Sequence, residues 1–199
     1  DHSTVDISTS KECYASFNNS NASFLDAPIS GGPLGASGGT LAIMVGGDNN
    51  TYQKVLPYFE RMGANIRYMG PSGAGTAMKL INQLLVGVNT LAAAEAFALA
   101  NSAGVNIDSA AELLSVSWGG STMVERSAPI TSKRDFPDSA APVRNLDKDL
   151  GIIKNLSKEE GLSLLLALTS EKMFKKLMEN GKPDHDIAGV IEIIEEMSS

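Results

Sequence analysis

The spacing of apolar residues changes character near residue 73. Before it, short apolar runs alternate with glycine-rich turns; after it, apolar residues recur at helical spacing. Residues 23–29 (SFLDAPI), 40–45 (TLAIMV) and 65–69 (NIRYM) read as strands, and GGPLGASGG between the first two reads as a loop. A short polar helix is predicted over 11–19. A second runs over 52–62, capped from Asp48-Asn49-Asn50, interrupted by Pro57 and ended by Gly63. Beyond 73 the spacing predicts a long helix to about residue 103, then 108–115 capped by Asp108, and a break at Trp118-Gly119-Gly120-Ser121. A short turn at 122–127 follows, then an irregular stretch from 129 to 142. Further helices are predicted over 145–156, 163–179 and 187–197, the last capped by Asp184 or Asp186.

The long helix holds the most information. Among residues 74–103 only Lys79 and Glu95 are charged, and Ala and Leu dominate, so other protein is expected to surround it. Yet Lys79, Asn82, Gln83, Val86 and Thr90 fall on one face at spacing i, i+3, i+4, i+7, i+11. Burial would lower the lysine's pKa toward the range where it exchanges a proton. The alternative is a lysine that reaches out to water near the helix start.

Composition narrows the functional classes. Hydrophobic content of 43% and charged content of 20% describe a globular chain with a core. A net charge of −7 argues against nucleic acid, and the densest basic group, Lys172, Lys175 and Lys176, sits beside Glu171 and Glu179 as a solvated face. Cys13, the single cysteine, points to a reducing compartment and a structural role. The polar residues Lys79, Asn82, Gln83, Asn89 and Glu95 argue against a membrane span in the long helix. No metal is expected. The opening DHSTVDIST reads as a strand end running into a loop, as in a piece of a longer protein.

Three segments could carry chemistry. Asp26-Ala27-Pro28-Ile29-Ser30-Gly31-Gly32 runs a strand into a glycine loop whose N–H groups and Ser30 hydroxyl suit a carboxylate; a tight surface turn is the plainer reading. Gly73-Ala74-Gly75-Thr76-Ala77-Met78-Lys79 sets glycines at a helix N-terminus with a lysine in the next turn, which favours a negative group nearby. Asn145-Leu146-Asp147-Lys148-Asp149-Leu150 places opposite charges side by side on a helix, most simply as an exposed pair.

In this order, with Asp1-x-Ser3-Thr4 ahead of them and the Gly39 to Gly47 stretch between, these segments resemble the β-hydroxyacid dehydrogenase family. The resemblance implies a soluble oxidoreductase using NAD or NADP on a small β-hydroxy acid that is 3-hydroxyisobutyrate-, glycerate- or threonate-like. It implies Lys79 as the proton donor and acceptor. Ser30, Gly31, Gly32, Asn82, Gln83 and Asp149 match substrate-binding positions, and Ser3, Thr4 and Lys148 match cofactor-binding ones. The Asn82-Gln83 pair is similar to the tartronate semialdehyde reductase branch. Many relatives have an aromatic residue where this chain has Ala141, which reshapes the pocket; Trp118 either faces that pocket or lies in the core.

The fold implied is an α/β remnant of a Rossmann-type cofactor domain with about three strands, over residues 1–72. A long connecting helix and an all-α domain of the 6-phosphogluconate dehydrogenase-like type would follow, over 73–199. The family's Gly-x-Gly-x-x-Gly fingerprint is absent, so the isolated chain is expected to be inactive. A cytoplasmic homodimer or homotetramer is expected, without nucleic-acid or membrane partners. The competing reading is a non-catalytic helical dimerisation module.

Overall fold

The computed structural model describes residues 1–198. Chain contacts divide it into two compact units, residues 1–82 and residues 83 onward.

The first unit is α/β. Helix α1 (Ile7–Asn19) leads to strands β1 (Leu25–Asp26) and β2 (Ile29–Ser30), helix α2 (Gly32–Ser37) and strand β3 (Leu41–Gly47). Helix α3 (Asn49–Phe59), strand β4 (Gly63–Gly70) and the first turns of α4 (Ala74–Ser102) complete it. Strand β3 is central, paired antiparallel with β1 and β2 and parallel with β4. The expected three strands are therefore four, and Pro28 is the reason. Leu25 faces Gly47 and Ile29 faces Ile43, so β1 and β2 keep one register along β3. Pro28 accepts the Met44 N–H at 3.1 Å but has no N–H to return, and the ladder breaks there. Leu25, Ala27, Leu41, Ile43, Val45, Tyr52 and Phe59 form the core beneath the sheet.

Helix limits follow their caps. Helix α1 starts four residues earlier than expected because the Asp6 carboxylate accepts the Thr9 N–H at 2.7 Å. Asp48 does the same for α3 through the Thr51 N–H at 2.7 Å. Pro57 does not interrupt α3; it falls in the last turn, and the helix ends at Phe59.

From α4 onward the chain is helical: α5 (Ile107–Ser115), α6 (Thr122–Lys133), α7 (Val143–Glu159), α8 (Leu165–Glu179), a 3-10 turn (Ile187–Val190) and α9 (Ile191–Ser198). The second unit's core holds Phe97, Val143, Leu150, Phe174, Leu177, Val190 and Ile191, each nearly inaccessible to water. The cap of α5 is Asn106 rather than Asp108, its side chain accepting from the Ser109 N–H at 3.0 Å. Residues 122–133, expected as a short turn running into an irregular stretch, form a twelve-residue helix, α6, which passes through Pro129 and ends on Arg134 at φ 54°, while 134–142 are irregular as expected. Asp186, not Asp184, caps the final segment through the Ala188 N–H at 2.8 Å.

Asp186 also knits this unit. Both guanidinium nitrogens of Arg126 donate to it at 2.8 and 2.6 Å, and the Ser139 hydroxyl donates as well. Burial alone would raise this carboxyl, but the Arg126, Ser139 and Ala188 donors together hold it below its ordinary value. Glu171, expected on a solvated face, is buried and meets Lys154 at 2.8 Å.

Helix α4 departs from expectation along one stripe. Thr90, Leu91, Ala93, Ala94 and Phe97 are buried, but Ile81, Leu85 and Leu99 remain half or more exposed. By length and composition α4 could cross a bilayer, a property it shares with core helices of soluble proteins. Trp118 is wholly exposed, which removes it from the core.

Candidate functional site

In the first unit the site is built on the start of α4. That helix begins without a side-chain cap of its own, and a carboxylate from β1 takes the place. Asp26 accepts the Gly73 N–H on Oδ1 and the Thr76 N–H on Oδ2, both at 2.9 Å, and is only 1% exposed. The negative group that the helix N-terminus favours is thus supplied by the chain itself. Glycines make the approach possible. A Cβ on Gly75 would stand 2.3 Å from the Met44 carbonyl oxygen and 2.4 Å from that of Asp26, and one on Gly46 would stand 2.7 Å from the Asp26 carboxylate. Gly73-x-Gly75 therefore seats a helix on a sheet. Thr76 adds a second tie, its hydroxyl lying 2.7 Å from that of Ser10 on α1, with both residues buried.

Lys79 follows one turn later and is 8% exposed, so it does not reach out into bulk water. Asn82 is half-buried on the same helix. The Thr90 hydroxyl is turned back onto the Val86 carbonyl at 2.7 Å, which explains that polar residue by the helix alone.

The Ser30-Gly31-Gly32 loop joins β2 to α2. Gly31 and Gly32 have φ of 132° and 61°, values that favour glycine, and nothing lies within 4 Å of where a Gly32 Cβ would be. Ser30 is half-buried and both glycines are exposed. Ser3 is exposed, its hydroxyl donating to Asp1 at 2.9 Å, and Thr4 is half-buried.

The second unit brings together the other three expected residues. Gln83 Nε2 donates to Asp149 Oδ2 at 2.5 Å, and Lys148 Nζ lies 2.8 Å from Asp149 Oδ1. Asp149 is buried while half of the Lys148 side chain is exposed. The expectation of an ordinary exposed pair fails on the Asp149 side. Ala141 is half-buried in the segment before α7, where its N–H donates to Ser139 at 2.9 Å. A cavity of about 440 Å³ lies between α5 and α6, but Asp108, Glu112 and Glu125 line it, which repels a carboxylate, and none of the expected site residues does.

Three helix starts of the first unit are unsuited to a dinucleotide pyrophosphate. Helices α1, α3 and α4 each begin against an aspartate, Asp6, Asp48 and Asp26 respectively. Asp6 is held down to about 2 by the Ser8 hydroxyl and the Thr9 N–H, and Asp48 is lowered by the Thr51 N–H and hydroxyl. Like charge at these helix starts excludes phosphate.

Asp26 is the residue that sequence reading passed over. Its only signal was negative: a helix opening with Gly-Ala-Gly and no local acceptor must find one elsewhere.

Comparison with known proteins gives a consistent picture. A family model described as NAD-binding of NADP-dependent 3-hydroxyisobutyrate dehydrogenase matches residues 73–194. Another, described as the NAD binding domain of 6-phosphogluconate dehydrogenase, matches residues 1–70. The 2-hydroxy-3-oxopropionate reductase of Escherichia coli K12 is 31% identical over 199 residues, covering 100% of this chain and 68% of that one. A crystal structure of 3-hydroxyisobutyrate dehydrogenase from Salmonella typhimurium superposes with a TM-score of 0.89 at 31% identity, covering 96% of this chain and 67% of that one. The Mycobacterium tuberculosis 3-hydroxyisobutyrate dehydrogenase with L-serine gives 0.88 at 30%, covering 98% and 68%. The chain spans about half to two thirds of the length of the curated relatives it matches.

Proposed function

This chain belongs to the β-hydroxyacid dehydrogenase family, and we propose that the protein carrying it is an NAD(P)-dependent oxidoreductase that interconverts a small β-hydroxy acid and its semialdehyde. The single observation that supports this most is Lys79: a buried ammonium, one turn into a helix whose start is fixed by Asp26. The relatives it resembles are named for 3-hydroxyisobutyrate, 2-hydroxy-3-oxopropionate and L-serine, which share a hydroxymethyl or aldehyde group next to an acid-bearing carbon.

A nicotinamide bound to the protein would supply or remove the hydride. The residues of this chain handle the acid and the proton. The Ser30 hydroxyl and the Gly31 and Gly32 N–H groups receive the substrate carboxylate. In reduction Lys79 Nζ donates a proton to the carbonyl oxygen as it becomes a hydroxyl; in oxidation the same nitrogen takes that proton back. Asn82 and Gln83 hydrogen-bond the substrate, Asp149 joins the set through Gln83, and Ser3, Thr4 and Lys148 meet the cofactor.

The test is Lys79→Ala and Lys79→Met in the whole protein, assayed against small hydroxy acids. Loss of about 10²–10⁴-fold in kcat is expected for removal of a general acid–base group. A loss of only a few-fold overturns the role.

The exposed stripe of Ile81, Leu85 and Leu99 supports a second element of the reading: a homodimer or homotetramer in which another copy covers α4. Leu85→Glu with Leu99→Glu should lower the sedimentation-derived mass, and an unchanged assembly refutes the use of this face.

A further inference from the structure

Gln83 and Asp149 stand 66 residues apart in sequence and 2.5 Å apart at Nε2 and Oδ2. Two details make that contact. Gly87, one turn beyond Gln83, has no side chain, and a Cβ there would meet Leu150 Cδ2 at 3.0 Å. The bare glycine lets α7 approach α4 closely. Side-chain length matters as well, since an asparagine amide at 83 would end roughly one carbon–carbon bond, ~1.5 Å, short of the carboxylate.

A carboxylate has only acceptors to offer, whereas a carboxamide carries donors on its nitrogen and an acceptor on its oxygen. Asp149 therefore decides which way the Gln83 amide faces: nitrogen toward Asp149, oxygen to the opposite side. That oxygen has two lone pairs, so it can serve a substrate donor in addition to any neighbour within the protein. Lys148 Nζ, 2.8 Å from the other Asp149 oxygen, balances the charge of the carboxylate.

We propose that Asp149 is a positioning residue that makes Gln83 an acceptor toward substrate, and thereby selects β-hydroxy acids bearing a hydroxyl or ammonium group on the carbon next to the carboxylate. This rests on the reading above, in which Gln83 meets the substrate. An acid with a methyl group at that carbon leaves the Gln83 oxygen dehydrated without a donor in return, a loss of about 10–100-fold in kcat/KM.

The experiment compares kcat/KM for glycerate and L-serine with that for 3-hydroxyisobutyrate, using the whole protein with NAD+ or NADP+. The unaltered enzyme should favour the two donor-bearing acids. Asp149→Asn can present its own amide N–H, which frees the Gln83 amide to turn over, so the preference should fall about tenfold or more. Gln83→Asn, which cannot reach Asp149, should lower it similarly, and the double variant should lower it no further. Structural damage alone would depress all three acids alike and leave the ratio untouched. A preference for the methyl-bearing acid, or a ratio unchanged in both variants of an active enzyme, overturns the positioning role alone. Failure of the unaltered enzyme to oxidise any of the three overturns the dehydrogenase reading and this inference with it.

Discussion

Asp26 Oδ2 accepts the Thr76 N–H at 2.9 Å across fifty residues of sequence, three residues ahead of Lys79. A strand and a helix that share no local turn are held by one carboxylate, and the lysine's place along the first unit depends on it.

Replacing Asp26 by alanine should therefore destabilise the fold by about 2–4 kcal/mol, because two buried N–H groups lose their acceptor. Asp26→Asn keeps one acceptor oxygen and should lose less. Urea midpoints at constant slope measure both, and an unshifted midpoint for the alanine variant would show that the helix start is satisfied by other means.

Gly75 and Gly32 should respond to alanine in different ways. At Gly75 the added carbon meets two backbone carbonyl oxygens at 2.3 and 2.4 Å, so sheet or helix must move. At Gly32 it meets nothing, and only the φ of 61° penalises it, by about 1–2 kcal/mol. Thermal unfolding should rank Gly75→Ala well below Gly32→Ala. The reverse order would mean that α4 is not seated against β3.

Two aspartates of the second unit should give pH dependences of opposite sign. Asp186 has a folded pKa below its unfolded one, so its contribution is present above about pH 4 and is lost as pH falls through the lowered folded value. Asp186→Asn should be less stable than the parent at neutral pH, with the gap closing in acid. Asp147 is raised, first by burial and then by Glu171, with Glu179 adding to this and Lys175 opposing it. Its charged form opposes folding above the raised pKa, so Asp147→Asn should be the more stable protein at neutral pH. That advantage should fade as pH falls to about 4. Unfolding free energies at several pH values decide both cases.

Titrating the 199-residue chain with NADH should give no saturable fluorescence enhancement, since the starts of α1, α3 and α4 are already taken by carboxylates. Tight binding would show that the pyrophosphate is held elsewhere than at these three helix starts.

Period and punctuation made most elements legible, because α4, α7 and α8 repeat their apolar residues often enough for the spacing to be unambiguous. Proline was the main source of error. Pro129 looked like a helix breaker, yet Ser121 caps α6 and the helix carries on through the proline at the loss of one bond. Pro28 looked like part of one strand and instead split it. Asn106 and Asp108 are both good caps, and only the backbone chooses between them.

The site was legible as a set of residue types and not as a set of contacts. Lys79 could be placed on a polar stripe, but the low charge around it left burial and a reach to water both open. That Asp26 would close the α4 start, or that Gln83 would reach Asp149, depends on how distant segments pack, and nothing within a helical window encodes it.

The missing N–H of Pro28 has an effect beyond the sheet edge. The Met44 carbonyl, denied a partner across the ladder, faces the bare Cα of Gly75 and so forms part of the socket in which α4 is footed. A residue at 28 able to donate would mend the strand and compete for that oxygen. What reads as a flaw in one layer is the mortise for the next, and the helix bearing Lys79 stands in it.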